Sequence, residues 1–400
     1  MKFGLIAALL LGLAAAPPAA AAPPATACAT LAGRFDVMPP GPLFLASYPT
    51  VAAGPLHDAA FLYDNAAAAI ALVGCGETAK AQAIGNAILT ALDHDRFWHD
   101  GRLRNGYRAG PVGPGPVKLA GWWDGTENRW LEDRYQVGSD SGNLAWAMLA
   151  LLTLDQVQAG PQYRAAATRI GRWVASQQDP RGPGGFTGGR FGHEPAPEPL
   201  TWKSTEHNTD LAAAFGRLAT ATGDAEWRRD ATQAENFVAA MWDPASGRFP
   251  AGTGDDGVTR NPFLALDAQI WPLLAIPGAA GRYGRAAEVA EQRLAFGDGF
   301  AYSEALDGLW TEGTAQMALL ARLQGRTARA AALTKAVAAQ WSADGGYFAS
   351  SQSSLPTGFM LPTDPSKPRL YFRLPHLGAT AWAALAETGF NPFTGTHALP

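Results

Sequence analysis

The chain has 400 residues, of which 47% are hydrophobic and 16% charged, with 31 basic against 35 acidic side chains. That composition suits a globular protein with a sizeable core, and the near balance of charge supplies no field for nucleic acid or an anionic membrane surface. The length admits two or three domains or one closed architecture.

In chain order, Met1-Lys2-Phe3 is followed by an apolar stretch to about Ala16 and a Pro/Ala-rich run with small residues at Ala20 to Ala22. This is the pattern of a secretory signal peptide, a basic start, a short apolar middle and a small-residue cleavage region. No later segment offers the roughly 20 uninterrupted apolar residues of a spanning helix. Residues 1–22 are expected to be removed, 23–57 to form an arm and 58–400 one toroidal domain, in the periplasm or outside the cell and without membrane insertion. The two cysteines, Cys28 and Cys75, then meet an oxidising compartment, where they form one disulfide or remain two buried thiols. Two cysteines are too few for a cysteine-held zinc.

Beyond the arm, helical signals arrive in pairs: 61–73 with 78–93, 143–154 with 163–176, 209–222 with 226–242, 264–276 with 283–296, and 312–323 with 328–341, before a last helix over 378–387. Gly160-Pro161, Gly223-Asp224, Gly278 and Gly325 mark the joints as helix stops and restarts. The pairs recur at intervals of roughly 45 to 75 residues, which is the mark of stacked helical hairpins. First members such as NLAWAMLALLTL are apolar nearly all round, whereas second members such as EWRRDATQAENFVAAMW carry a charged face. A helix apolar on every side must be surrounded by protein, so the first members predict an inner ring and the second an outer one. The predicted class is all-α, an (α/α)6 toroid. Eleven helices are legible, and the twelfth is expected in the arm between Cys28 and Ala60. Two long loops, 98–141 and 179–204, carry Trp122, Trp123, Trp130, Tyr135 and Trp202, and loops so long and so aromatic are expected to serve function at one mouth of the ring.

Each presumed inner helix begins with polar residues: Tyr63-Asp64-Asn65, Ser139-Asp140-Ser141 with Asn143, Ser204 to Asp210, Asp267 and Gln269, Trp310 to Thr314 with Gln316, and Pro375-His376. Inner helices of a toroid run parallel, so these starts converge. Capping of free N–H groups is the competing explanation, and for Asp64 and Asp140 it weighs equally. The fullest segment is TWKSTEHNTD, in which Glu206 and Asp210 stand four apart on one helical face with His207 and Asn208 beside them. Glu312 in LWTEGTAQ precedes a glycine that allows close backbone approach, and Asp267 in LDAQIW stands in an apolar helix where an acid needs a partner or a task. Carboxyls so gathered suit glycosidic cleavage, in which one donates a proton to the leaving oxygen while another activates water or attacks the sugar. The catalytic candidates are Glu206, Glu312, Asp210, Asp267 and Asp64; Trp122, Trp123, Tyr135, Asp140, Trp202, His207, Asn208, Trp310 and Gln316 are candidates for holding substrate. No metal or cofactor motif is evident, and the acidic loop 252–257 reads as a solvated turn before a calcium loop.

The repeated starts YDNAAAAIAL, TEHNTDLAAAF, LDAQIWPLLA and LWTEGTAQMALL, with a glycine after most helices, resemble the six-hairpin glycosidase superfamily over nearly the whole mature chain. The resemblance implies a carbohydrate substrate and Asp or Glu catalysis at the barrel mouth, without fixing the catalytic pair. Related toroids imply a second reading, a lyase or epimerase acting on uronic-acid glycans, with His207 or Tyr135 as base and an arginine such as Arg104 against the carboxylate. A third is a glycan-binding envelope protein without catalysis.

Overall fold

The computed structural model describes residues 26–361 and 364–398. The signal-peptide reading of residues 1–22 lies outside the described residues. In chain order the helices are α1 (Ala27–Gly33), α2 (Leu62–Gly74), α3 (Thr78–Asp93), α4 (Ser141–Gln156), α5 (Gln162–Ala175), α6 (Thr205–Thr222) and α7 (Ala225–Met241). They continue with α8 (Leu266–Ala275), α9 (Ala279–Tyr283), α10 (Arg285–Arg293), α11 (Thr311–Leu323), α12 (Thr327–Ala338) and α13 (Leu377–Thr388).

Helices α2, α4, α6, α8, α11 and α13 pack each on the next, and α13 packs back on α2, which closes an inner ring. Their residues are buried on nearly every side, as all-round apolar sequences require. The outer helices α3, α5, α7, α10 and α12 lie against their own inner partners, with α9 and α10 together filling the fourth outer place. The twelfth helix is α1, which packs on α13 from the arm and completes the sixth pair. A Cys28–Cys75 disulfide ties α1 to the C-terminal end of α2. The fold is an (α/α)6 toroid.

One device recurs at five of the six inner helices. A polar side chain one turn into the helix grips the backbone of the extended segment that follows the preceding outer element. Asn65 holds both backbone groups of Leu45, Asn208 those of Phe186 and Gln269 those of Phe249. Thr314 and Thr380 use their hydroxyls, accepting from the Phe300 and Tyr347 amides while donating to the Trp310 and His376 carbonyls. Each clamp satisfies a backbone amide, and in three cases the carbonyl as well, and so fixes how the chain enters the ring.

The ring is filled by aromatic side chains. Trp146, Trp271 and Trp382 stand at equivalent depths on α4, α8 and α13, with centroids 5.4 to 6.0 Å apart. Phe393, from the turn after α13, packs against Trp146 and Trp271 at 5.3 and 5.5 Å. Beyond the helices the longest regular element is a β-hairpin, Ser354–Leu361 paired with Asp364–Phe372, which the helical periodicity did not predict.

Candidate active site

The six inner-helix starts converge on a cavity of about 310 Å³. Tyr63 and Asp64 come from α2, Asn143 from α4, Glu206, His207 and Asp210 from α6, Asp267 from α8 and Glu312 from α11, while Asp140, Trp310 and His376 are the residues just before α4, α11 and α13. Trp146 and Trp271 contribute its deeper wall, while Arg369, Leu370 and Tyr371 of the 354–372 hairpin and Thr357 on its other strand contribute the rest of the enclosure.

Two chemically different halves face each other across this space. In one, His376 stands between two acids, with Nε2 3.1 Å from Asp64 Oδ2 and Nδ1 3.3 Å from Glu312 Oε1. Burial alone would lower the imidazole, but Asp64 and Glu312 together carry it up to about 10. Nδ1 also lies 3.3 Å from the Ala379 amide nitrogen, but a ring protonated on both nitrogens donates, so Glu312 is its partner. Tyr48 stacks on the ring at 4.5 Å. Glu312 Oε2 accepts the Tyr63 hydroxyl at 3.1 Å, and that hydroxyl in turn accepts the Trp382 indole N–H at 2.6 Å. Gly378 makes the cluster possible, because a Cβ there would stand 2.8 Å from Asp64 Oδ1 and 3.1 Å from Glu312 Oε2.

The other half holds acids whose charge burial opposes, with Arg369 near Asp140 alone among them. Burial raises Glu206 well above the usual carboxylate range, and Asp267, Glu312 and Asp140 add to the rise. Asp210, one helical turn below, is raised in the same way by burial and by Glu206 and Asp267, with the Trp146 indole N–H, itself short of strict hydrogen-bond geometry, as the one group that opposes the rise. Asp267 is pushed up to about 7, chiefly by burial, although the Ala268 amide donates to it at 2.7 Å. Asp140 is likewise raised to about 7 by burial, against a 3.0 Å bond from the Asn105 amide and the nearby Arg369. His207 is lowered to about 4 by burial, so it is a neutral imidazole. Its ring occupies the space over Gly142, where a Cβ would come within 2.4 Å.

Of the residues singled out in the sequence, Glu206, Glu312, Asp210, Asp267 and Asp64 all line the cavity, as do Tyr135, Asp140, Trp202, His207 and Trp310. Four do not. Trp122 and Trp123 belong to a separate hairpin, in which Trp122 pairs with Leu131 and Trp123 with Trp130, and the Trp123 side chain is 59% exposed. The acid beside them, Asp124, accepts the Thr126 and Glu127 amides and thereby builds the hairpin's turn. Asn208 is spent on its backbone clamp, and Gln316 lies fully buried one turn below Glu312, beneath the cavity. Arg104, named for a uronate, is buried between Asp95 and Glu194 at 2.6 and 2.9 Å and is already neutralised. In the 252–257 loop, Asp256 accepts the Val258 and Thr259 amides in an ordinary turn.

Tyr48, Tyr63, Tyr302, Arg369, Tyr371 and His376 also line the cavity, beyond the candidates that the sequence offers. Tyr63 and His376 stood within the polar helix starts and could have been taken with them. Arg369 and Tyr371 come from the hairpin, where no helix start marks them; the Arg369 guanidinium lies 3.9 Å over the Tyr135 ring.

No protein-family model matches the chain. No curated protein matches it. Solved structures do. A glycosidase variant in complex with glucose is similar with a TM-score of 0.58 at 15% identity, over 91% of this chain and 95% of its own. An alpha-amylase from Clostridium perfringens gives 0.58 at 8% identity, over 91% and 97%. A cellobiose 2-epimerase from Spirochaeta thermophila gives 0.60 at 13% identity, over 91% and 93%. At such identities the likeness is one of fold, and it places this chain among (α/α)6 toroids over nearly its whole described length.

Proposed function

We propose that this protein is an exported glycoside hydrolase, with Glu206 as general acid and Glu312 as the opposing carboxylate. The observation that carries the reading is the contrast across one cavity. Glu206 keeps its proton because burial and neighbouring acids oppose its charge, while Glu312 accepts a tyrosine hydroxyl and faces a cationic imidazole. Pairs of acids with opposed environments are what glycosidic cleavage needs. Glu206 gives its proton to the glycosidic oxygen as the bond from that oxygen to the anomeric carbon breaks. Glu312 draws a proton from the attacking water or bonds to that carbon itself. Tyr63 and His376 position Glu312, and Trp202, Trp310 and Tyr371 offer aromatic faces to the sugar. The glycosidase, amylase and epimerase neighbours support a sugar substrate. Export rests on the pattern of the first residues, and the Cys28–Cys75 bond supports it. Among the described residues no helix is long and apolar enough to cross a membrane.

The test is hydrolysis of a panel of neutral and uronic-acid polysaccharides by the unsubstituted protein and by Glu206→Gln and Glu312→Gln. Each substitution is expected to remove about 10²–10⁴-fold of the rate with the fold intact; full activity in both variants overturns the assignment.

A second reading, epimerisation or lyase chemistry, is favoured by one observation. His207 is a neutral base facing the same cavity as the Arg369 cation. Its signature is a product of unchanged mass or an unsaturated one, abolished by His207→Ala and retained in Glu206→Gln.

A further inference from the structure

A second cavity, of about 350 Å³, adjoins the first over the starts of α6 and α8. Trp202, Glu206, Asp267, Tyr302 and Thr357 line both. Glu206 and Asp267 are therefore accessible from two chambers. The far wall of the second chamber is the 252–261 hairpin and the segment after it, with Thr253, Asp255, Asn261 and Phe263. Phe263 lies 6.1 Å from the Tyr302 ring, which continues the aromatic surface across the divide.

A glycosidic oxygen joins two rings, and the acid that protonates it must stand between them. Glu206 has that place. The first chamber is closed in by all six inner helices and the 354–372 hairpin, whereas the second is bounded by exposed Asp255 and Asn261 near the rim. The ring that donates its anomeric carbon belongs in the first, beside Glu312. From this we infer that the second cavity is the subsite for the leaving sugar, which stacks on Phe263 and Trp202 and hydrogen-bonds through its hydroxyls to Asn261 and Asp255. The substrate thus spans both chambers and is at least a disaccharide. This rests on the hydrolase reading for the direction of cleavage, and on the cavities alone for the two-ring cleft.

The experiment is equilibrium titration of the Glu206→Gln protein with glucose, galactose, mannose and glucuronate and with cellobiose, maltose, lactose and mannobiose. At least one disaccharide is expected to bind about tenfold tighter than its constituent monosaccharide. Phe263→Ala in the same background is expected to erase that gain and leave monosaccharide affinity unchanged. Because Phe263 also packs on Tyr302, Asn261→Ala, at an exposed position, serves as the second variant and is expected to reduce the gain. No gain from one ring to two, or a gain undiminished in both variants, overturns the subsite. Hydrolysis by the unsubstituted protein is scored separately: if it fails while the two-ring gain persists, the hydrolase reading falls and the cleft stands.

Discussion

Asp210 shows how burial decides protonation in this site. With two acids nearby and only the Trp146 indole N–H to favour its charged form, burial decides the outcome and the carboxyl is raised well above its ordinary value. Glu206 shares that environment while facing substrate space, so its proton is available to a leaving group. Activity that needs this proton is lost as pH rises through the raised Glu206 value. A pH–rate profile is expected to show an alkaline limb that disappears in Glu206→Gln residual activity; a limb unchanged in the variant contradicts the role. The sequence made the acids themselves visible, because each stands at the start of an apolar helix. It also offered Trp122 and Trp123, since composition identifies aromatic loops without saying which way they face. Arg369 and Tyr371 were out of reach for the opposite reason, being carried by a local hairpin to site residues far away in sequence, such as Phe61 and Tyr135 beneath the Arg369 guanidinium.

The elements are aimed by clamps and by absent side chains. Asn208→Ala would leave the buried Phe186 amide and carbonyl without partners, at a cost of about 1–3 kcal/mol. Chemical denaturation is expected to register that loss while the rate of the folded fraction stays near normal, which separates a clamp from a substrate ligand. Gly378→Ala is expected to do the reverse. Alanine suits a helix better than glycine, yet its Cβ would intrude on Asp64 and Glu312. Turnover should fall by roughly 10²-fold with little change in thermal midpoint; a wild-type rate would show that the cluster needs no such clearance. The helical pairs and their inner or outer place were legible from periodicity and from which members carry charge. The clamps were less so, because Asn65, Asn208 and Gln269 read equally well as caps or site residues. The repeated glycine–aromatic segments GGF, GRF, DGF and GGY that four of them grip were the available signal.

At the scale of the whole ring, the sixth helical pair is completed by α1, a helix of 7 residues too short to hold itself. The Cys28–Cys75 bond spans 47 residues and secures it. Replacing both cysteines by serine is expected to cost about 2–4 kcal/mol, read as a lower denaturation midpoint; an unchanged midpoint would mean that packing on α13 suffices. The buried charge has its own dependence on pH. His376 is raised to about 10 in the folded protein, so the native state binds the extra proton between its ordinary value near 6.5 and about 10. Its stabilisation is complete below the lower value and is lost as pH rises through the upper one. Stability is expected to fall from pH 7 to 10 by on the order of a few kcal/mol, read as a lower thermal midpoint, and His376→Gln should flatten that decline.

Acid-assisted hydrolysis of a sugar linkage between Glu206 and Glu312 is read out by mass spectrometry of products formed in ¹⁸O-labelled water. Shorter saccharides that carry one solvent oxygen per cleaved bond are expected, and they should vanish in both Glu→Gln variants. Unsaturated fragments, or an isomer of unchanged length, would contradict hydrolysis and transfer the site to His207.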